Sequence, residues 1–577
     1  MNLSAASPRG NGCPTMKKLV LFLLCFLLSA QVFAADSEEI DVFFPEGADD
    51  RQALLAALFE ADISTLRETI DLGLISCREL TEYYLERIET YNETYNCFIT
   101  LCDNALDVAD ARDAALADGT AEGALFGIPV VVKDNIDFEG YPTTNGYWYY
   151  KSECTESATV VQYLLDEGAI VLGMTNMSAG AQDAICSVSD RVLETFNAYD
   201  AELASGGSSG GSAAAVSLNF AVAGLGTDTN VSLRYPSALN GCVALRPTVG
   251  LLERDGCVIL NHSRDTAGAI TRGVKDQAIM LDVLTGGAHG YAEKLDANAL
   301  DGMRIGVLSE LSYPLPGSYD RGADNLDAEI CAAFDNAVAE LTSCGAEVVT
   351  VSMPEVFSYV ASMGDSNTDL REAMYAKVTA LMEESGVSVL IFPTYLHTPH
   401  YSVTKHPSSS YPYVCNCATL SPLTGAPEIT IPIGTHSLGA GIGLEIFAPR
   451  EEEQLLLDVA YSYTTRYDHR QAPENAPSLY VSGEALTLDE YIDRVRERSE
   501  TSQALETVAL QPVSDAPQEV LLDVTVTVPE PETLHDAQTE KQERNAPPLL
   551  YLLPAAAVAA AAIVLWRRRR RQRQEVT

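Results

Sequence analysis

The apolar and polar positions of the chain mark out a long ordered middle between two unlike ends. In Cys77-Arg-Glu-Leu-Thr-Glu-Tyr-Tyr-Leu-Glu-Arg-Ile88, residues Leu80, Tyr84, Leu85 and Ile88 recur every three to four positions, which puts them on one face of a helix. The stretch 66–116 predicts helix, turn, helix, and residues 35–61 predict a lead-in with an amphipathic helix of its own. The run Ile128-Pro-Val-Val-Val-Lys133 has no polar position until its last, and predicts a buried strand ending in a charge. A helix is expected over 159–166 and a second buried strand at Ala169-Ile-Val-Leu172. Helix and strand signals alternate as far as Ala448. The fold expected is therefore α/β: one large domain over 62–500, a mixed twisted sheet with helices on both faces.

The ends read differently. Lys17 and Lys18 precede an apolar run over 19–28, and Val32-Phe-Ala34 places small residues at the −3 and −1 positions of a cleavage site. This predicts a signal peptide over 1–34, with Met16 as an alternative start. The alternative is an uncleaved anchor, for which the apolar run is short. Residues 501–546 are rich in Glu, Pro, Gln, Thr and Asp, a composition that builds no core and suits a stalk. An uncharged, Ala-rich run over 549–566 follows, and then Arg567 to Arg571 and Arg573. The run is near the lower limit for a hydrocarbon core of about 30 Å. By the positive-inside rule the basic tail over 567–577 stays in the cytoplasm. The expectation is an exported protein, anchored in the plasma membrane by a C-terminal transmembrane helix with its catalytic domain outside.

Composition narrows the choice of partners. Of 577 residues, 47% are hydrophobic and 20% charged, enough apolar surface for a sizeable core. The formal charge of −44 opposes nucleic acid and anionic lipid alike, since both repel it. Cys13 and Cys25 precede the expected cleavage point, so an odd number of the 13 cysteines is left and not all can pair within the chain. Their spacing shows no zinc or redox pattern, and Cys415 and Cys417 stand too close in sequence for a good disulfide. No metal-ligand constellation is visible.

The candidate chemistry lies between 205 and 234. The stretch opens Ser-Gly-Gly-Ser-Ser-Gly-Gly-Ser, runs into Ala213-Ala-Ala-Val216, and reaches Gly226-Thr-Asp-Thr-Asn-Val-Ser-Leu-Arg234 after a short apolar run. Taken alone, 205–212 passes for a flexible linker. A linker has no reason to lead straight into a helix former and an apolar run. Glycines ahead of a helix permit tight turns and leave backbone N–H groups free to face an anion.

At these residues the sequence resembles the amidase signature family. Its pattern is a Gly-Gly-Ser-Ser-Gly-Gly-Ser loop, here 206–212, a Gly-Thr-Asp-Thr turn ending in Ser-x-Arg, here 226–234, and an upstream Gly-Ile-Pro-x-x-x-Lys-Asp strand, here 127–134. The spacings between them agree. Further matches are Pro142-Thr-Thr144, Leu172-Gly-Met-Thr-Asn-Met177, Asn240-Gly-Cys-Val-Ala-Leu-Arg-Pro-Thr-Val-Gly250, Phe392-Pro-Thr394 and Leu423-Thr-Gly-Ala-Pro-Glu-Ile-Thr-Ile-Pro432. The resemblance covers about residues 62 to 470.

The resemblance implies a Ser-Ser-Lys triad and a reaction that needs no cofactor or metal. Ser232 would attack the carbonyl of an amide. Ser208, after a cis peptide with Gly207, would relay its proton, and Lys133 would start the transfer. A serine hydroxyl is a weak nucleophile until a base takes its proton. A lysine is that base only where burial keeps it neutral near the working pH. The alternative for Lys133 is a strand-end salt bridge with Asp134 or Asp137. The backbone N–H groups of Thr229, Asn230, Val231 and Ser232 would face the oxyanion. Asp228 and Arg234 would brace the turn, and Ser209 and Thr227 would bond around the triad; each of these four also suits a purely structural role. The family commonly has two glycines where this chain has Asn230 and Val231. Val resists a left-handed backbone, so either the turn uses ordinary dihedrals or the oxyanion hole is altered.

Family substrates include small aliphatic and aryl amides, C-terminally amidated peptides and lipid amides. The loops of unusual sequence are Tyr147-Trp-Tyr-Tyr150 and the region of Tyr395, His397, Tyr413 and Cys417. Tyr147, Trp148, Met177 and Tyr395 are candidate substrate-pocket residues, and aromatic packing beneath a loop is the other reading of the cluster. The function implied is cell-surface hydrolysis of a carboxamide in a small molecule or peptide through an acyl-serine intermediate. The alternatives are an amidase-fold binding protein that has lost its chemistry, and an amidotransferase component, which would need tRNA.

Overall fold

The structure is a computed structural model that describes residues 41–44, 50–150, 152–316, 318, 321–360, 368–408, 415–480 and 484–487. The expected signal peptide, stalk, anchor and basic tail lie outside the described residues, as does Tyr413. Among the described residues no helix is long and apolar enough to cross a membrane.

One eleven-stranded sheet organises the chain. Its strands are β1 (Phe98–Leu101), β2 (Pro129–Lys133), β3 (Ile170–Thr175), β4 (Ala223–Asp228), β5 (Val243–Arg246), β6 (Thr266–Thr271), β7 (Arg304–Leu308), β8 (Glu347–Val351), β9 (Val389–Pro393), β10 (Glu428–Thr435) and β11 (Gly441–Phe447). They lie side by side in the order β8-β7-β9-β11-β10-β5-β6-β4-β2-β3-β1. β2 runs parallel to β3 and β4, and β7 to β8 and β9, while the other pairs are antiparallel. The sheet is mixed, as the alternation of signals predicts. Every residue of β2, β3, β9 and β11 is buried. Successive side chains of a strand point to opposite faces, so both faces are covered.

The helix α1 (Cys77–Tyr95) starts at a capping box in which Ser76 and Glu79 satisfy each other's backbone N–H, and stops at Asn96 in a left-handed conformation. Leu80, Tyr84 and Ile88 are buried on its inner face as the spacing predicts, and Leu85 is only partly so. Arg87 is buried with them, its guanidinium donating to the carbonyls of Leu218, Asn219, Ala476 and Pro477. The expected helix over 159–166 is observed as Thr159–Asp166. In the lead-in, a helix spans Asp50–Ala57, and a short strand, Asp41–Phe44, pairs with Glu484–Thr487 from the far end of the chain. That pairing is not readable locally, because each strand finds its partner more than four hundred positions away.

Two short helices position the site. Every residue of α2 (Gly210–Ser217) is buried, and it packs against β2, β3, β4 and β6. The helix α3 (Arg234–Leu239) is also wholly buried, against β5, β10 and β11. Gly211 lets α2 sit this deep: a Cβ there would lie 2.2 Å from the carbonyl oxygen of Asn176.

Candidate active site

Lys133 is the last residue of β2, and its neighbour β4 runs parallel to it, with Val132 opposite Leu225. The loop ahead of α2 crosses the ends of these strands. Its Gly207–Ser208 peptide bond is cis. A Cβ on Gly207 would meet Asp183 O and Ser178 Oγ at 2.5 Å each, so only glycine fits there. Ser178 N–H donates to Ser208 O at 3.2 Å, and Ser209 N–H donates to Ser232 O at the same distance. The loop is thereby tied on one side to the segment after β3 and on the other to the turn after β4.

The Lys133 ammonium group lies 2.7 Å from Ser208 Oγ and 2.8 Å from Thr227 Oγ1, and both Lys133 and Ser208 are fully buried. Thr227 Oγ1 also accepts from Asn135 Nδ2 at 3.0 Å. Burial lowers the lysine from its ordinary value of 10.5 to about 7, while Asp228 and Asp265 at longer range act the other way. Desolvation wins because, among the described residues, no carboxylate touches the amine and no salt bridge to Asp134 or Asp137 is formed. Asp134 instead accepts from the Thr144 hydroxyl and the amides of Thr144 and Gly146. An amine poised near neutrality beside a buried hydroxyl can take up a proton from it.

The turn 229–233 joins β4 to α3. Neither Asn230 nor Val231 has a positive φ, so the turn uses ordinary dihedrals and the β-branched side chain is accommodated. Val231 is 3% exposed and Ser232 7%. Among the described residues, the amides of Asn230, Val231 and Ser232 donate to no protein group. Free N–H groups on a fixed turn are what an oxyanion requires. The turn is braced on every side. Arg234 Nη2 donates to Asn230 O at 2.8 Å, Arg264 Nη1 to Asn230 Oδ1 at 2.9 Å, and Thr229 Oγ1 to Asp265 Oδ1 at 2.6 Å. Asp228 accepts from Leu233 N–H and Arg234 Nε, both at 3.1 Å. Burial pushes the Asp228 carboxyl upward, but Arg234 and Arg246 outweigh it and hold it below its usual range.

The structure thus brings Lys133, Ser208, Ser209, Thr227 and the 228–234 turn together. Met177 is buried one residue before Ser178, on the segment that bonds Ser208. Tyr147 is half-buried against Gly180 of that segment, whereas Trp148 is 71% exposed. Tyr395 is fully buried behind α3, edge-on to Tyr235, with its hydroxyl donating to Gly441 O at 2.6 Å. Sequence reasoning does not single out Asn135, Ser178, Arg246, Arg264, Asp265, Glu428 or Glu445. Glu445 carries a signal, being a charge inside the otherwise apolar strand Gly441–Phe447, whereas Arg246 and Glu428 stand at the last and first positions of theirs. Arg264 and Asp265 stand in a loop and carry none.

Comparison with known proteins bears on this arrangement. The Amidase family model matches residues 79–364. A glutamyl-tRNA(Gln) amidotransferase chain of Alcanivorax borkumensis is 36% identical over 304 residues, 51% of this chain and 61% of its own length. The corresponding chain of Chlorobium phaeobacteroides is 28% identical over 473 residues, 68% of this chain and 97% of its own. Among solved structures, the peptide amidase of Stenotrophomonas maltophilia matches with a TM-score of 0.63 at 27% identity, covering 72% of this chain and 99% of the amidase. A bacterial aryl acylamidase shares the fold with a TM-score of 0.62 at 20% identity, over 73% of this chain and 99% of its own.

These relatives correct one expectation. The exported body held in a plasma membrane by a C-terminal helix does not stand: the curated relatives over this length are amidotransferase chains. The fold, the matched family model and the likeness to a peptide amidase agree, and the chain belongs to the amidase signature family.

Proposed function

We propose that this chain hydrolyses a carboxamide, in a small molecule or at the C-terminus of a peptide, through an acyl-serine intermediate. The observation that carries the reading is the buried contact of Lys133 with Ser208 at 2.7 Å, with the lysine held near neutrality. Lys133, as the free amine, accepts the Ser208 proton while Ser208 accepts that of Ser232, whose oxygen bonds to the carbonyl carbon. The developing oxyanion is met by the amides of the 229–232 turn, where each well-placed donor is worth about 3 kcal/mol of barrier. The relayed proton leaves with the amine, and water then releases the acid by the same path in reverse. Ser209, Thr227, Asp228 and Arg234 hold the turn and the loop in register. The likeness to a peptide amidase over nearly its whole length supports an amidated peptide or similar small amide as substrate.

A second reading is favoured by the amidotransferase relatives: the same acyl-serine chemistry, with the released nitrogen passed to an acceptor in a partner rather than lost to water. Ammonia release by the purified chain on acyl amides, aryl amides and amidated dipeptides, with Ser232→Ala as control, separates the two. Release that disappears in the variant supports the hydrolase. Labelling of Ser232 by a fluorophosphonate without release, together with a co-purifying partner chain, supports the transferase. Neither release nor labelling overturns both, in favour of a binding protein.

A further inference from the structure

Two carboxyl groups meet behind the turn. Glu428 on β10 pairs with Phe447 and Glu445 on β11 with Thr430, so the two glutamates are diagonal neighbours on adjacent strands. Both reach Arg234, whose Nη1 bonds Glu428 Oε1 and lies 3.5 Å from Glu445 Oε2. On the guanidinium's other edge Asp228 accepts from Nε at 3.1 Å, and Arg246 Nη1 approaches Asp228 Oδ1 at 3.3 Å. All five side chains are fully buried.

The charges of this cluster do not balance as written. Two guanidiniums, which stay protonated, face three carboxylates, leaving one negative charge in a dry interior. Such a charge is removed most readily by a bound proton. Asp228 is not its holder, because both arginines keep it ionised. Among the described residues, Glu428 Oε2 and both oxygens of Glu445 accept no hydrogen bond of normal geometry, although Arg234 Nη1 and the Thr394 hydroxyl lie close to Glu445. Two carboxylates that close repel each other, and a proton on one of them supplies the missing donor. Burial raises both carboxyls, Glu428 well above the usual carboxylate range. The other groups facing the pair leave this balance unchanged. Cys417 gives its carbonyl to Arg234 at 2.8 Å, and burial keeps its thiol neutral.

We propose that Glu428 and Glu445 share one proton and are positioning residues for the turn that carries Ser232, acting through Arg234. This rests on the assignment of Ser232 as nucleophile. Arg234 Nη1 is spent on Glu428 and the Cys417 carbonyl, and Nη2 on Asn230 O at 2.8 Å. In a trans peptide the C=O and the following N–H point in opposite directions. Fixing Asn230 O therefore aims the Val231 N–H. With the shared proton in place Arg234 is held on both sides without being pulled off the turn.

The test uses the full chain. Infrared spectra at pH 8 are expected to show the carbonyl band of a protonated carboxyl in the wild type and to lose it in Glu445→Gln and in Glu428→Gln. Each of those variants balances two arginines against two carboxylates with no proton needed. Fluorophosphonate labelling of Ser232 in the single variants is expected to stay within about threefold of wild type. In Glu428→Gln/Glu445→Gln, which leaves Arg234 without a charged partner on that edge, labelling falls about tenfold, and on an amide substrate the loss appears in kcat rather than KM. Absence of the band from the wild type, or its survival in both single variants, overturns the shared proton. A folded double variant that labels like the wild type overturns the positioning role. A wild type that shows the band but is never labelled overturns the assignment of Ser232, and the positioning role with it, while the shared proton stands.

Discussion

Replacing Lys133 by methionine should abolish activity and at the same time stabilise the protein. The lysine is fully buried and held at about 7, against an ordinary value of 10.5. At 1.36 kcal/mol for each pKa unit, keeping this amine in the folded state at pH 7 costs roughly 4 to 5 kcal/mol relative to leaving it charged in water. Against this stand its hydrogen bonds to Ser208 and Thr227, worth about 1 kcal/mol each net. The desolvation cost wins, and Lys133→Met is expected to gain about 2 to 3 kcal/mol at pH 7. The pH dependence checks the cause. Between about 7 and 10.5 the unfolded chain binds a proton at this position and the folded chain does not, so wild-type stability rises with pH across that window. The methionine variant lacks that component, and its advantage shrinks as the pH approaches 10.5. Denaturant unfolding of both proteins at a series of pH values measures this directly. A variant less stable than the wild type by an amount that does not change with pH would show that Lys133 keeps its charge when buried, and the base assignment would fall with it. In the wild type, ammonia release should rise about tenfold per pH unit below 7 and flatten above it, as the amine is freed.

Two further substitutions probe the scaffold. Gly211→Ala forces a methyl to within 2.2 Å of Asn176 O and should lower stability by about 1 to 3 kcal/mol, read as a fall in Tm; an unchanged Tm would mean that α2 has room to shift. Val231→Gly removes a side chain that is only 3% exposed and leaves every backbone donor in place, so it should lower Tm while Ser232 is still labelled by a fluorophosphonate; loss of labelling at an unchanged Tm would mean that the valine itself serves the reaction.

What the sequence made legible follows physical range. The strand Pro129–Lys133 and the helix Thr159–Asp166 declare themselves within a few residues, because an apolar run or a three-to-four spacing is local. The loop of Ser208 and the turn of Ser232 are legible as motifs, and the fold brings them to one place by setting β2 beside β4. Gly226-Thr-Asp228 reads as part of a turn, yet it completes β4, since pairing with Thr266 to Gly268 on β6 outweighs the poor strand propensity of Gly and Asp. The partners Arg264 and Asp265 act on the turn from a loop more than thirty positions away, and nothing in their neighbourhood announces it. Trp148 and Tyr395 read alike in the sequence as aromatic pocket candidates, but one stands in solvent and the other is buried behind α3, because hydrophobicity alone does not tell whether a ring will be covered.

Asn230 and Val231 show how a turn can change its residues and keep its geometry. Two glycines hold no shape of their own and owe their conformation to what surrounds them. Here the surroundings supply more than backbone contacts: Arg234 grips the carbonyl of Asn230, Arg264 its side chain, and Asp228 the amide of Leu233. Asn and Val lose less freedom on folding than glycine, so the turn is also stiffer before any brace acts. Behind it Arg234 and Arg246 stand side by side on Asp228, under a turn that on the proposed reading meets negative charge. Bare, their field would favour the oxyanion but expel each other; neutralised in full by three carboxylates, they would leave a negative residue behind the turn that opposes it. A carboxyl pair holding one proton meets both demands, because it cancels the arginines' charge without exceeding it. The Glu428–Glu445 pair and the Asn230–Val231 turn are on this view one adaptation, and a chain given Gly at 230 and 231 should depend less on the pair than this one does.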